Sequence, residues 1–130
     1  MAGELILVVE DDERSRRLVH DVLEYHAYRV VEATAGDEGV RLAKELRPDL
    51  ILMDVQLPGL DGITALRLLR EDPATRAIPV VAVTASAMPD ERLKIGAAGF
   101  DGHQRKPIGI AEFTALVRRL LEQTKGRVET

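Results

Sequence analysis

The chain has 130 residues, of which 45% are hydrophobic, and a formal net charge of −4. This length is typical of one globular domain with its own core. The chain has no cysteine, which excludes disulfides and thiol catalysis and fits a cytoplasmic protein. The negative charge and the absence of tryptophan disfavour nucleic-acid binding. No apolar run approaches the ~20 residues that a membrane span needs.

Short apolar runs alternate with segments of helical periodicity along the whole chain. The predicted strands are residues 5–9, 28–33, 50–54, 79–84 and 101–105. The predicted helices cover 13 to about 25, 37–46, 62–71, 89 to about 97, and 110 to about 123. The sequence therefore predicts one domain over residues 4–123 and a C-terminal tail over 124–130.

Strict alternation of strands and helices predicts an α/β fold with a parallel sheet covered by helices on both faces. Right-handed crossovers make this a doubly wound three-layer sandwich. In the five-stranded, flavodoxin-like version with strand order 2-1-3-4-5, the first and third strands are neighbours at the topological switch point. Ligands bind in such folds at the carboxyl ends of these strands.

Acidic residues end two of the strands that this topology makes neighbours. The apolar run 5–9 leads into Glu10, Asp11 and Asp12, and the run 50–53 leads into Asp54. Clustered carboxylates repel one another unless a cation neutralises them. Because an all-oxygen site of two or three carboxylates suits a hard divalent ion, we expect Mg²⁺ here.

Two further strand ends carry groups that suit phosphoryl chemistry. Thr84 ends the fourth strand, and Lys106 follows the fifth. A carboxylate can attack phosphorus to form an aspartyl-phosphate, and phosphoryl transfer mainly needs positioning and charge neutralisation. A metal ion, the ammonium of Lys106 and the hydroxyl of Thr84 together would contact the phosphoryl oxygens of a group on Asp54.

Four motifs in order resemble the receiver domain of two-component response regulators. They are Val-Val-Glu-Asp-Asp at 8–12, Met-Asp-Val-Gln-Leu-Pro-Gly-Leu-Asp-Gly at 53–62, Val-Thr-Ala at 83–85 and Lys-Pro at 106–107. The resemblance covers about residues 4–123. Each motif is weak alone, but the four with this spacing are specific. The resemblance implies a phosphorelay signalling protein that catalyses only its own phosphorylation and dephosphorylation and is not otherwise an enzyme.

The resemblance also implies roles for the acidic residues. Asp54 would be the phosphoacceptor for a histidine kinase or a histidine phosphotransfer protein. Asp11 and Asp54 would ligate Mg²⁺, the backbone carbonyl of Gln56 would be a third protein ligand, and Glu10 would reach the ion through water.

The same resemblance implies how phosphorylation is passed on. Thr84 and Lys106 would bind the phosphoryl group and couple it to the surface of the fourth helix, fifth strand and fifth helix, where a downstream protein docks. Lys106–Pro107 is a candidate cis peptide bond. The family's switch residue, three before the lysine, is most often aromatic, whereas here it is His103, whose charge could vary near neutral pH. Phe100 is the alternative aromatic.

Other functions stay open at this point. A phosphatase-like or dehalogenase-like hydrolase with Asp54 as nucleophile would want an acid two residues later, where this chain has Gln56. A receiver acting only as a scaffold would not need the complete set of acids, threonine and lysine. A flavodoxin-like FMN site would want a hydroxyl-rich loop after the first strand. This chain has acidic residues there, which would repel the phosphate of FMN.

The chain resembles single-domain regulators of chemotaxis or cell fate, and a receiver excised from a kinase is the alternative.

Several residues also have simpler interpretations. The simpler interpretation of Asp12 is a turn or helix-cap residue, and that of Thr84, as the alternative to its phosphoryl-binding role, is an ordinary strand end. The basic run 14–17 is interpreted as a solvated helix face, with partner docking as the alternative. His20 and His26 lack a nucleophile in any motif and are interpreted as surface residues.

Overall fold

The computed structural model describes residues 3–85 and 89–129. In these residues five strands alternate with five helices: β1 Leu5–Val9, α1 Glu13–Tyr25, β2 Arg29–Ala33, α2 Gly36–Leu46, β3 Leu50–Asp54, α3 Gly62–Glu71, β4 Val80–Thr84, α4 Pro89–Ala98, β5 Gly102–Arg105 and α5 Ile110–Glu129. The strands form one parallel sheet of order β2-β1-β3-β4-β5. The predicted fold class and strand order are confirmed.

Alternating side chains of the central strands fill two cores, one on each face of the sheet. On one face, Ile6 and Leu50 pack with the apolar stripes of α1 and α5, including the fully buried Phe113. On the other face, Leu7 and Ile51 pack with α2 and α3. Burial of both faces explains why β3 and β4 are continuous apolar runs rather than alternating ones.

The ends of the helices follow local chemistry that the sequence displays. Asp12 caps α1 by accepting from the amide of Ser15 at 2.9 Å, and Asp61 caps α3 by accepting from the amide of Thr64 at 2.8 Å. The interpretation of Asp12 as a turn or helix-cap residue is confirmed. These caps fix where the two loops beside the acidic strand ends turn into helices.

The largest difference from the predicted boundaries is at the C-terminus. The apolar spacing of α5 ends near Leu121, so its end was predicted near Gln123, but the helix continues to Glu129. No proline interrupts residues 124–129, and backbone hydrogen bonding therefore continues beyond the apolar stripe. Thr130, which the sequence assigns to the tail, lies outside the described residues. The domain limit at residue 123 stays a prediction.

None of the helices in the described part of the chain is long and apolar enough to cross a membrane.

Strands β2, β4 and β5 each begin one residue later than predicted. They start at 29, 80 and 102 rather than at 28, 79 and 101. These small shifts do not move the strand ends at which the predicted site residues lie.

Candidate functional site

The strand register brings the predicted site residues to one edge of the sheet. Val9 pairs with Met53, so Glu10 and Asp54, the residues that follow them, leave the sheet side by side. On the other side of β3, Asp54 pairs with Val83, which places Thr84 one step further along the next strand. Thr84 in turn pairs with the residue before Lys106, and the Lys106 amide donates to the Thr84 carbonyl at 2.9 Å.

Three carboxylates converge at this edge. Single oxygen atoms of Glu10, Asp11 and Asp54 all lie within 4.8 Å of one another. Glu10 and Asp54 are each 4% exposed, whereas Asp11 is exposed to solvent. Two buried acids and one exposed acid make an all-oxygen donor set, open on the side of Asp11, which fits a hard divalent cation that keeps some of its water.

Lys106 is the cation that the sheet itself supplies to this cluster. Its Nζ lies 2.5 Å from Oε1 of Glu10 and 3.2 Å from Oδ2 of Asp54. The peptide bond between Lys106 and Pro107 is cis, as proposed from the sequence. The lysine side chain is 19% exposed, so it contacts the acids from the protein side of the cluster and leaves the solvent side open.

The remaining polar contacts orient the two buried acids. The backbone amide of Gln56 donates to Oδ1 of Asp54 at 2.9 Å, and the amide of Asp12 donates to Oε2 of Glu10 at 3.2 Å. Asp54 therefore has one oxygen bound by a backbone amide and the other by Lys106. The orientation of the Asp54 carboxylate is therefore fixed before any ligand binds. Because less conformational freedom is lost on reaching the transition state, the entropic cost of an in-line reaction at this group is lower.

Burial and charge set the protonation of the site in opposite directions. Burial raises the pKa of Glu10 to about 7, assisted by Asp54 and opposed by Lys106. Burial alone would lower the pKa of Lys106, but its hydrogen bond to Glu10 and the charge of Asp54 raise that pKa overall. The lysine is therefore charged at neutral pH, and the Glu10 carboxyl exchanges its proton with solvent near pH 7.

Thr84 ends β4 with no exposed surface, beside the acidic cluster. His103 lies on β5, paired with Ala82, and its side chain is exposed beside α4. Burial, followed by the charges of Arg92 and Arg105, lowers the pKa of His103 below its usual value. This shift favours the neutral imidazole, and the role of His103 as the switch residue stays a prediction.

Phe100, the alternative aromatic, packs against the core on the face of α2 and α3. It is half-buried there and precedes β5 rather than lying on it. His103 and Phe100 therefore belong to different environments, and Phe100 does not occupy the place of an aromatic on β5.

Sequence reasoning missed the role of Arg16. The basic run 14–17 was interpreted as a solvated face, but Arg16 Nη1 donates to the carbonyl of Glu10 at 3.1 Å and approaches the carbonyl of Asp11 at 3.4 Å. His20 is also more than a surface residue, because Nδ1 lies 2.9 Å from a Glu32 oxygen. Glu10 lies six residues before Arg16, in the loop that precedes α1, and no helical spacing in the sequence signals this contact.

Comparison with known proteins decides the family. The family model for the response regulator receiver domain matches residues 6–118. The chain belongs to this family. It is a response regulator receiver domain, as the four motifs implied, and receiver domains as a class are signalling domains that interact with histidine kinases and downstream effectors.

Named relatives place this receiver domain among regulators of similar length. It is 38% identical to the polar-differentiation response regulator DivK of Brucella anthropi over 116 residues, which cover 89% of this chain and 94% of that protein. The DivK protein of Brucella ovis is 37% identical over the same coverage. The receiver domain thus matches nearly the full length of single-domain regulators.

Solved structures show the same architecture, and one of them holds a magnesium ion. The receiver domain of a sensor histidine kinase from Pseudomonas aeruginosa PAO1, which has a magnesium ion coordinated in its active-site cleft, superposes with a TM-score of 0.87 at 36% identity, covering 93% of this chain and 99% of that one. The receiver domain of a histidine kinase from Syntrophus aciditrophicus gives a TM-score of 0.87 at 32% identity, covering 93% and 92%.

Proposed function

We propose that this receiver domain accepts a phosphoryl group on Asp54 from a histidine kinase or a histidine phosphotransfer protein, and that phosphorylation changes its binding to a downstream protein. The observation that carries the proposal is the position of the Asp54 carboxylate, which is buried, fixed by a backbone amide and by Lys106, and adjacent to two further acids. Glu10 has similar contacts, but Asp54 lies at the end of the central strand β3, between the acids that follow β1 and Thr84 at the end of β4.

The donor set supports Mg²⁺ as the cofactor. Asp11 and Asp54 would bind the ion directly with the backbone carbonyl of Gln56, and Glu10 would contact it through water. When bound, the ion neutralises negative charge on the phosphoryl oxygens and on the acids. The relative from Pseudomonas aeruginosa holds its magnesium in the corresponding cleft of the same fold, which favours this assignment.

The chain's own residues would perform the remaining chemistry. Asp54 Oδ2 is the proposed nucleophile; the new bond joins this oxygen to phosphorus, and the bond from phosphorus to the donor nitrogen breaks. Lys106, now 3.2 Å from that oxygen, would contact a phosphoryl oxygen, and the buried Thr84 would donate its hydroxyl to another. The proposed activity is limited to this self-modification and its reversal.

The proposed output surface comprises α4, β5 and α5. This surface presents Leu93 and Ile110, which are 73% and 53% exposed, together with His103. Large apolar side chains that are exposed on this surface are available for contact with a partner protein. The predictions that the chain is cytoplasmic and binds neither nucleic acid nor membrane stay predictions.

Phosphorylation by acetyl phosphate tests the proposal. The protein is incubated with Mg²⁺ and acetyl phosphate, and intact mass is measured over time. We expect the wild type to gain a single phosphoryl group and Asp54→Asn to gain none. Asp61→Asn is the matched control, because asparagine caps a helix as well as aspartate does and the variant keeps Asp54. Equal uptake by Asp54→Asn, or none by the wild type, would overturn the proposal.

The hydrolase alternative makes a different prediction for the same experiment. The position two residues after Asp54 is Gln56, whose backbone amide donates to Asp54 and whose side chain is exposed. An amide cannot act as the general acid that such a hydrolase needs. Continuous release of phosphate in excess of protein, without a persistent phosphorylated species, would favour the hydrolase instead.

A further inference from the structure

Arg16 connects the surface of α1 to the acidic loop at residues 10–12. We propose that Arg16 is a positioning residue, which holds the backbone of this loop so that the Asp11 carboxylate is placed for Mg²⁺. The inference rests on the proposed function, because it concerns the metal site assigned there. It adds a residue that contacts neither the ion nor the phosphoryl group.

The Nη1 atom of the Arg16 guanidinium contacts the loop directly. Nη1 donates to the carbonyl of Glu10 at 3.1 Å and lies 3.4 Å from the carbonyl of Asp11. These are the backbone groups of two of the three acids in the cluster. Arg16 is only 18% exposed, and its own amide donates to the carbonyl of Asp12 at 2.9 Å in the first turn of α1. The guanidinium is therefore bound to the loop and fixed on a helix.

The Nε atom of Arg16 is held by a series of polar contacts between α1 and β2. Nε of Arg16 lies 3.5 Å from Oε1 of Glu32, and the other oxygen of Glu32 lies 2.9 Å from Nδ1 of His20. Nε2 of His20 lies 3.2 Å from Glu24. Because Glu32 offsets the charge of the guanidinium, Arg16 can lie close to a divalent-cation site without strongly opposing the ion.

Asp11 is the acid that depends on this support. Glu10 and Asp54 are fixed through their side chains by Lys106 and backbone amides. Within residues 3–85 and 89–129, by contrast, the Asp11 carboxylate makes no hydrogen bond or ion pair. Its position is set by its backbone alone, and Arg16 is the side chain that contacts that backbone. Loss of this contact leaves more conformational freedom to be removed when the ion binds.

Calorimetric titration with Mg²⁺ tests the proposal on three variants of the full chain. Arg16→Ala removes the contacts and is expected to weaken Mg²⁺ binding by about tenfold. Arg16→Lys keeps a cationic donor and is expected to lie between Arg16→Ala and wild type, at least about twofold weaker than wild type. Arg17→Ala, which removes the same charge from an exposed neighbour on the same helix, is expected to stay within about twofold of wild type.

Phosphorylation kinetics separate positioning from a general loss of structure. For Arg16→Ala, we expect the Mg²⁺ concentration for half-maximal phosphorylation by acetyl phosphate to rise by about tenfold, with the rate at saturating Mg²⁺ within about twofold of wild type. A merely structural role would lower the saturated rate as well. Far-UV circular dichroism checks that each variant is folded.

The outcomes distinguish this inference from the proposed function. A wild type that binds no Mg²⁺ overturns the proposed metal site. A wild type that binds Mg²⁺, together with an Arg16→Ala that binds equally well or an Arg17→Ala that is equally weakened, overturns the role of Arg16 alone. If Arg16→Ala does not fold, Arg16→Lys decides, because an unchanged dissociation constant for that variant overturns the inference and a weakened one supports it.

Discussion

Nζ of Lys106 lies 2.5 Å from Oε1 of Glu10, closer than its 3.2 Å from Oδ2 of Asp54. The lysine is thus shared between the proposed acceptor and an acid of the proposed metal site. An incoming divalent ion and the ammonium compete for the negative charge of the same carboxylates, whereas a phosphoryl group needs both cations at once.

Replacing Lys106 with methionine should change Mg²⁺ binding and phosphorylation in opposite directions. Removal of a cation next to Glu10 and Asp54 should tighten Mg²⁺ binding severalfold, because the ion no longer competes with the ammonium. Phosphorylation by acetyl phosphate should slow by about a hundredfold, because a preorganised charge for the phosphoryl oxygens is lost. Calorimetry and intact-mass time courses measure the two quantities.

The control for this prediction is Lys94→Met, which removes an exposed lysine from α4. It should leave both measurements close to wild type, since surface charges at a distance are screened. Weaker Mg²⁺ binding by Lys106→Met would contradict the view that the ammonium and the ion compete.

Glu10 should make the stability of the metal-free protein decrease as pH rises. Its pKa is about 7 in the folded protein, against 4.5 for an unperturbed glutamate, so the folded state binds more protons between these pH values. Stability contributed by this group is therefore present at low pH and is lost as pH rises through about 7. Urea unfolding at pH 5 to 8 in EDTA should show this decrease for wild type and a flatter profile for Glu10→Gln.

Magnesium should reverse part of this dependence. Because the ion needs Glu10 ionised, the stabilisation by saturating Mg²⁺ should grow from pH 6 to pH 8 in wild type. A pH profile that is the same for wild type and Glu10→Gln, with and without the ion, would show that Glu10 does not titrate in this range.

Much of this site could be predicted because its residues lie at or just after the carboxyl ends of strands. Parallel strands must bring their carboxyl ends to one edge, so Glu10, Asp54, Thr84 and Lys106 meet there once the strand order is known. The apolar run of β3 leading into Asp54 carries this information in the sequence itself. The caps at Asp12 and Asp61 are likewise local features.

Contacts between helix surfaces and loops could not be predicted in the same way. Arg16 lies in a run of basic residues whose composition suggests a solvated face, and only the approach of α1 to the loop shows that its guanidinium contacts the carbonyl of Glu10. The pKa of His103 likewise depends on its burial and on the charge of Arg92, which lies on a different element, α4. Such tertiary contacts have no period or spacing that a single sequence displays.

His103 should titrate below the usual histidine value, and Arg92 should be one reason. Removal of a neighbouring positive charge favours the protonated imidazole, so Arg92→Gln should raise the pKa of His103. The ring is exposed, and the rise should be a fraction of a pH unit because solvent screens the charge. Titration of the His103 ring protons by NMR measures both values.

The sign of the effect on stability follows from the same shift. The pKa of His103 is lower in the folded protein than in the unfolded chain. The contribution of His103 to the free energy of unfolding is therefore complete above about pH 6.5, and it is lost as pH falls through the pKa of the folded state. Lys94→Gln removes a charge from α4 that is not among those acting on His103, and it should leave the titration unchanged. Equal shifts in both variants would show a general charge effect rather than a local one.

Gly62 should be required for the loop that follows Asp54. A Cβ at this position would lie 2.5 Å from the carbonyl oxygen of Asp54 and 2.8 Å from Cα of Val55, and both are backbone atoms that cannot move without shifting the site. Gly62→Ala should therefore lower the free energy of unfolding by about 1–3 kcal/mol and slow phosphorylation of Asp54.

Gly96 is the matched control, because it lies within α4 and a Cβ there would meet no atom within 4 Å. Gly96→Ala should raise the free energy of unfolding by about 0.5–1 kcal/mol, since alanine loses less conformational entropy in a helix. Urea unfolding followed by far-UV circular dichroism measures both variants. If Gly62→Ala were as stable as Gly96→Ala and were phosphorylated at the wild-type rate, close packing at Gly62 would not be what sets the position of Asp54.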